Sequence, residues 1–259
     1  MKKVFDINRF GKLLRYDYNV NKWEYILLLP VSLAILWYAL FSMFKSTVDG
    51  SFTSSYYLRF FLTGYFLLGI FLNSKSYGAL RNRLSAATYL ALPASVFEKF
   101  FLHWFLRITL FTAIYPVLFY VGVNVFIPIF TWATKAYISF YGLSANIADI
   151  PAFSFDVLIP GEIEGQILLT AIFIAIFVLS IFQLGSIVYG KWNLVKTILA
   201  IAVMFLILHY YVRFIAIFLG GVENIRTVLF GYYIIESFLT LSLIVCWVAT
   251  YLKLKEREV

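Results

Sequence analysis

Five ionisable side chains, Arg59, Arg107, His209, Arg213 and Glu236, stand inside or at the edges of long apolar runs. A charge in hydrocarbon is costly, so such a residue normally faces a partner or water. Two chemistries fit this set. Glu236 pairs with Arg213 or Arg59 as a structural ion pair, with Arg59 and Arg213 otherwise reaching outward to headgroups. Alternatively, the same groups line a polar pathway for a solute.

Catalytic signatures are missing. The stretch GSIVYGKW, Gly185 to Trp192, has the glycine and lysine spacing of a phosphate-binding loop. That loop needs Ser or Thr after the lysine to hold magnesium, and a strand before it. Here Trp192 follows Lys191 and an apolar helix precedes, so the segment reads as a helix end with Lys191 and Trp192 at the membrane interface. His103 and His209 have no carboxylate or cysteine at ligand spacing, and no nucleophile–base order or carboxylate pair marks an active site. The expectation is a protein that is not an enzyme and holds no cofactor and no metal.

The elements that position these residues follow from composition. The chain is 63% hydrophobic and 13% charged, with a mean hydropathy of +0.89. A soluble domain is about 25% charged, so a water-facing surface cannot be built here. Six segments are long enough to cross about 30 Å of hydrocarbon as helices: 24–44, 55–73, 108–130, 166–189, 197–219 and 229–251. They must be helical because lipid offers no partner to backbone polar groups. The fold class is all-α, a polytopic protein with one membrane domain over residues 1–259.

Fifteen of the 21 basic residues fall in the amino-terminal segment, the second-to-third and fourth-to-fifth connections, and the tail. The positive-inside rule places all four in the cytoplasm, with both termini. The net charge of +8 is explained by this asymmetry and calls for no nucleic acid. Cys246 lies within the last span and reads as a small buried apolar residue. Residues 5–20 form an amphipathic interfacial helix, with Asp6 as its cap, Phe10, Leu13, Leu14 and Tyr18 on one side and Arg9, Lys12 and Arg15 on the other. Such a helix rests on anionic lipid. Residues 131–165 make an acidic, aromatic-rich outer loop that shapes a vestibule or covers the bundle.

Between the second and third spans, residues 74–107 carry the most structured signal. Pro93 ends whatever precedes it, and Ser95-Val96-Phe97-Glu98 is a capping box, in which serine hydroxyl and glutamate carboxylate satisfy free N–H groups at a helix start. Lys99, His103 and Arg107 follow four residues apart as a basic stripe on a re-entry helix rich in Phe and Trp.

The arrangement YGALRNRLSAATYLALPASVFEKFFLHWFLR resembles the cytoplasmic segment of ABC type-2 permeases, the membrane subunits of ATP-driven exporters. Gly78, Leu90, Leu92, Pro93, Ser95 and Glu98 match that pattern, with Lys99 after them. The resemblance covers about thirty residues plus the six-span outline and the interfacial helix. It implies a permease subunit of the bacterial plasma membrane, exporting its substrate with energy from a separate cytosolic ATP-binding subunit, and acting with a second permease copy or homologue among membrane lipids. The coupling segment would comprise Gly78, Arg81, Arg83, Leu90, Pro93, Ser95, Glu98 and Lys99, with Arg81 and Arg83 as charge contacts. A secondary transporter or channel, or a membrane scaffold or sensor, is the alternative; neither would have an ATPase partner.

Overall fold

The computed structural model describes residues 5–48, 55–141, 152–155, 164–190, 192–218 and 225–258. All regular structure among them is helical: α1 (Ile7–Val48), α2 (Ser55–Ser74), a 3-10 turn (Gly78–Arg81), α3 (Arg83–Leu90), α4 (Val96–Trp104), a π turn (Phe105–Leu110), α5 (Phe111–Tyr141), α6 (Glu164–Val188), α7 (Asn193–Phe218) and α8 (Ile225–Glu258).

Among the described residues, five helices are long and apolar enough to cross a membrane: Ile7–Ser42, Tyr56–Ser74, Val96–Ala133, Leu169–Val188 and Glu236–Glu258. These support an integral membrane protein. The expected span 197–219 falls on α7, of which Asn193–Met204 forms a shorter apolar helix, and its end, with most of the outer loop, lies outside the described residues.

Two elements read as separate join into one. Residues 5–20 and the first span form a single helix of 42 residues that runs through Pro30. At 1.5 Å per residue it is about 63 Å long, more than the hydrocarbon layer covers. Its start is capped as the sequence indicates, with the Asp6 carboxylate accepting from the backbone N–H groups of Asn8 and Arg9. The re-entry helix and the third span likewise run on through the π turn.

The chain divides into two compact units. Unit 1 comprises Met1–Arg15, Gly69–Thr109 and Gly165–Val259; unit 2 comprises Tyr16–Leu68 and Leu110–Glu164. In unit 1, α6 and α8 meet along Phe177, Leu239 and Leu243, with Cys246 and Trp247 beside them. The Trp247 indole donates to the Ser180 hydroxyl at 3.0 Å.

Unit 2 is built on rings. Phe61, Tyr65, Tyr115 and Phe119 pack with centroids 5.2–6.1 Å apart, and Phe153 joins them against Tyr57 and Phe119. Asn124 fixes Phe153 by exchanging two hydrogen bonds with its backbone N–H and C=O. Near Pro128 lies a cavity of about 440 Å³ lined by Asn124, Ile127, Thr131, Trp132, Lys135 and Ala152.

Candidate functional site

The capping box forms as its spacing requires. The Ser95 hydroxyl accepts from the Glu98 N–H at 3.1 Å, and the Glu98 carboxylate accepts from the Ser95 N–H at 2.7 Å. Its surroundings are tertiary. The other Glu98 carboxylate oxygen takes the Asp6 N–H at 2.7 Å and the Arg9 guanidinium at 3.0 Å. Glu98 is 0% exposed, and a carboxylate so buried is tolerable only when its lone pairs are filled in this way.

The next residue performs the same service for the other end of the chain. Lys99, 1% exposed, donates to the Leu90 carbonyl at 2.9 Å and to the Glu258 carboxylate at 2.7 Å, with its ammonium 5.7 Å from the Tyr89 ring centroid. Arg257, beside Glu258, reaches two more carbonyls, Leu80 in the 3-10 turn at 3.2 Å and Ile187 in the last turn of α6 at 2.8 Å. That last turn has carbonyls with no intrahelical donor, and a cation there also meets the negative end of the helix dipole. Glu98 and Lys99 thus tie α4 to the start of α1 and to the end of α8, all within unit 1.

The end of α2 is closed by side-chain donors too, two of them cations. Arg81 donates to the Ser74 carbonyl at 2.7 Å, Asn193 to the same carbonyl, and Arg107 to that of Leu72. The stripe of Lys99, His103 and Arg107 is therefore an interior stripe; all three are buried. His103 bonds the Tyr89 hydroxyl at 3.2 Å. Phe97 is exposed on α4, and Phe97, Phe101 and Phe105 stack along the helix.

The segment from Gly78 to Lys99 thus has two roles for its residues. Ser95, Glu98, Lys99, Leu90 and Arg81 make internal bonds. Arg83, Leu84 and Pro93 are exposed, Leu84 to 88%. Gly78 heads the 3-10 turn with open space where a Cβ would stand, so nothing steric demands glycine there.

The intramembrane candidates do not gather into one described site. Glu236 is half-buried and accepts from the Thr170 hydroxyl at 2.7 Å. Arg59, in unit 2, is exposed with its guanidinium 5.7 Å from the Tyr56 ring centroid. Arg107 lies in the π turn of unit 1. The side chains of His209 and Arg213 lie outside the described residues. After α6 the chain turns through Gly190 and Trp192, the latter with φ 62° and 76% exposed, into α7; helices flank GSIVYGKW on both sides, which excludes the strand a phosphate loop needs. Among the described residues no three of His, Cys, Asp and Glu come together closely enough to hold a metal ion.

The ties of Asp6 and Arg9 to Glu98, of Glu258 to Lys99 and of Arg257 to Leu80 and Ile187 are missed by sequence reasoning. Only the charge of Arg9 and of the tail was visible, and charge alone does not name a partner. Comparison with protein-family models, curated proteins and solved structures finds no match to the chain.

Proposed function

We propose that the chain is the permease subunit of an ABC-type exporter, with Arg83 and Leu84 of α3 forming the contact for a separate cytosolic ATPase. The observation that carries this is a short surface helix with Leu84 88% exposed, while its flanks are fastened to longer helices of unit 1 by Arg81 on Ser74 and by Lys99 on Leu90 and Glu258. Such a helix makes a stiff handle, because a push on it is transmitted through bonds rather than absorbed by a loose loop. ATP-driven closure of a partner pair would bias the attached spans between two arrangements.

The substitution that tests this avoids Arg81, whose guanidinium has a structural bond. Arg83→Glu combined with Leu84→Glu should abolish co-purification with a phosphate-loop ATPase that the unaltered chain captures from its own cells, while membrane insertion and thermal unfolding stay unchanged. Full retention of the ATPase by this folded double variant removes the contact.

A second reading, a transporter without an ATPase, draws on the buried polar groups of unit 1 and on the π turn that interrupts the regular ladder at Arg107. Transport by reconstituted chain alone, driven by an ion gradient in the absence of ATP, would favour it.

A further inference from the structure

The later half of α5 lines the pocket of unit 2 with one face. Asn124, Ile127, Pro128, Thr131, Trp132 and Lys135 recur at steps of three and one, the signature of a single helix side. Ala152 forms the facing wall, and its segment is built in. Asn124 exchanges two hydrogen bonds with Phe153, and Tyr120 stacks on Phe155 with centroids 5.4 Å apart. The volume, about 440 Å³, lies within the range of small-molecule sites, about 300–1,000 Å³.

Polarity changes along this face. Two polar side chains on the span side are spent on the protein: the Asn124 amide on Phe153, and the Thr131 hydroxyl as donor to the Ile127 carbonyl at 2.8 Å. With Ile127, Pro128 and Ala152, they leave that end largely apolar. Toward the other end the apolar segment Val96–Ala133 runs out, Trp132 is 73% exposed and Lys135 supplies a positive charge. Tryptophan and lysine are residues that settle at a membrane boundary. From Ile127 to Lys135 the helix rises about 12 Å, so the apolar and cationic ends stand well apart.

These features select the ligand. A cation would meet Lys135 and, among the described residues, no carboxylate on the wall. A small inorganic anion would serve Lys135 and leave the apolar end unfilled, and a hydrocarbon would do the reverse. An anion joined to an apolar chain serves both ends, and its polarity runs in the same direction as that of the pocket. With three N–H donors, the Lys135 ammonium can hold such an anion together with an acceptor of the protein.

We propose that this pocket binds an anionic amphiphile, its acidic headgroup on Lys135 and the first part of its chain along Trp132, Pro128 and Ile127. Two sources carry that chemistry, a bilayer phospholipid and a single-chain amphiphile. The site is independent of any ATPase contact.

Quenching of Trp132 by brominated chains tests this. In nanodiscs of zwitterionic lipid, the protein is titrated with tail-brominated phosphatidylglycerol, phosphatidylcholine or a single-chain alkyl phosphate. The Trp132 signal is the difference between the unaltered protein and Trp132→Phe. Half-quenching by at least one anionic probe should need about fivefold less than by phosphatidylcholine, the factor that one lysine contributes at a membrane surface. A preference that includes phosphatidylglycerol admits bilayer lipid, and one confined to the alkyl phosphate restricts the site to single chains. Lys135→Gln should abolish the preference, because no other basic residue lies between 131 and 165. Ala152→Phe fills the pocket, keeps the charge and should abolish it as well. Both positions are exposed, so the fold should tolerate either change, and unaltered thermal unfolding checks this. Equal quenching by charged and neutral probes, or a preference that survives either substitution, overturns the proposal.

Discussion

The two units hold together by different means. Of the buried polar or charged residues among those described, all but Asp17 belong to unit 1: Asn73, Ser76, Glu98, Lys99, His103, Arg107, Gln183, Asn193 and Thr197 among them. Apart from Asp17, the buried residues named for unit 2 are apolar or aromatic, Leu40, Tyr57, Tyr65, Leu68, Tyr115, Phe119, Val123, Ile127 and Phe153 among them. Ring packing is forgiving, because contacts of many geometries are nearly equal in energy. Buried charges tolerate only arrangements in which every partner is present. Unit 1 is therefore the more exacting of the two to fold, and unit 2 the more tolerant of small rearrangements.

The largest test of that contrast removes Glu98. Glu98→Ala leaves Arg9, the Asp6 N–H and the Ser95 N–H without their common acceptor. Breaking a buried pair costs about 3–5 kcal/mol, and the one-third exposure of Arg9 places the loss near the lower figure. Hydrogen exchange should accelerate in α4 and the first turns of α1, while Phe119–Ile127 of unit 2 keeps its protection. Equal acceleration in both units would break the comparison.

A pair of glycines sharpens it at a smaller scale. A Cβ on Gly64 of unit 2 would stand 2.4 Å from the Tyr115 hydroxyl oxygen, and one on Gly185 of unit 1 would stand 2.1 Å from the Thr197 hydroxyl oxygen. Each Gly→Ala change should cost about 1–3 kcal/mol by overpacking. Tyr115→Phe should restore most of the loss at Gly64, since only the hydroxyl obstructs. Thr197→Ala should restore less at Gly185, because the Thr197 Cβ itself remains 3.1 Å away. Denaturation midpoints of the four single and two double variants measure both.

The smallest effect belongs to Ser95→Ala. It removes one cap hydrogen bond, worth about 1 kcal/mol, but leaves Glu98 with Asp6 and Arg9. A loss as large as that of Glu98→Ala would mean that the capping box, and not the tertiary bonds, holds α4.

Local spacing made part of this visible in the sequence. The Asp6 cap, the capping box and most helices are set by residues within four positions of one another, where pattern and geometry coincide. The partners of Glu98, Lys99 and Arg257 are separated from them by 89, 159 and 177 positions, and no periodicity links such residues. Residues 21–23, which part the expected interfacial helix from the first span, continue the helix without a break. The π turn left no sequence trace, and Gln183 and Asn193 read as ordinary polar residues of a helix and a helix end. The expected pairing of Glu236 with Arg213 concerns a side chain outside the described residues, while Thr170, its described partner, carries no charge to attract notice.

The bond from Lys99 to Glu258 also has a consequence in time. With 159 positions between them and synthesis at about 5–20 residues per second, the ribosome adds Glu258 about 8–30 s after Lys99. Throughout that interval the lysine lacks the carboxylate that it has when folded, and an unpaired ammonium resists burial. The Leu90–Lys99 stretch should therefore wait at the water boundary while later helices enter the bilayer, and its final seating becomes one of the last steps in the birth of the molecule.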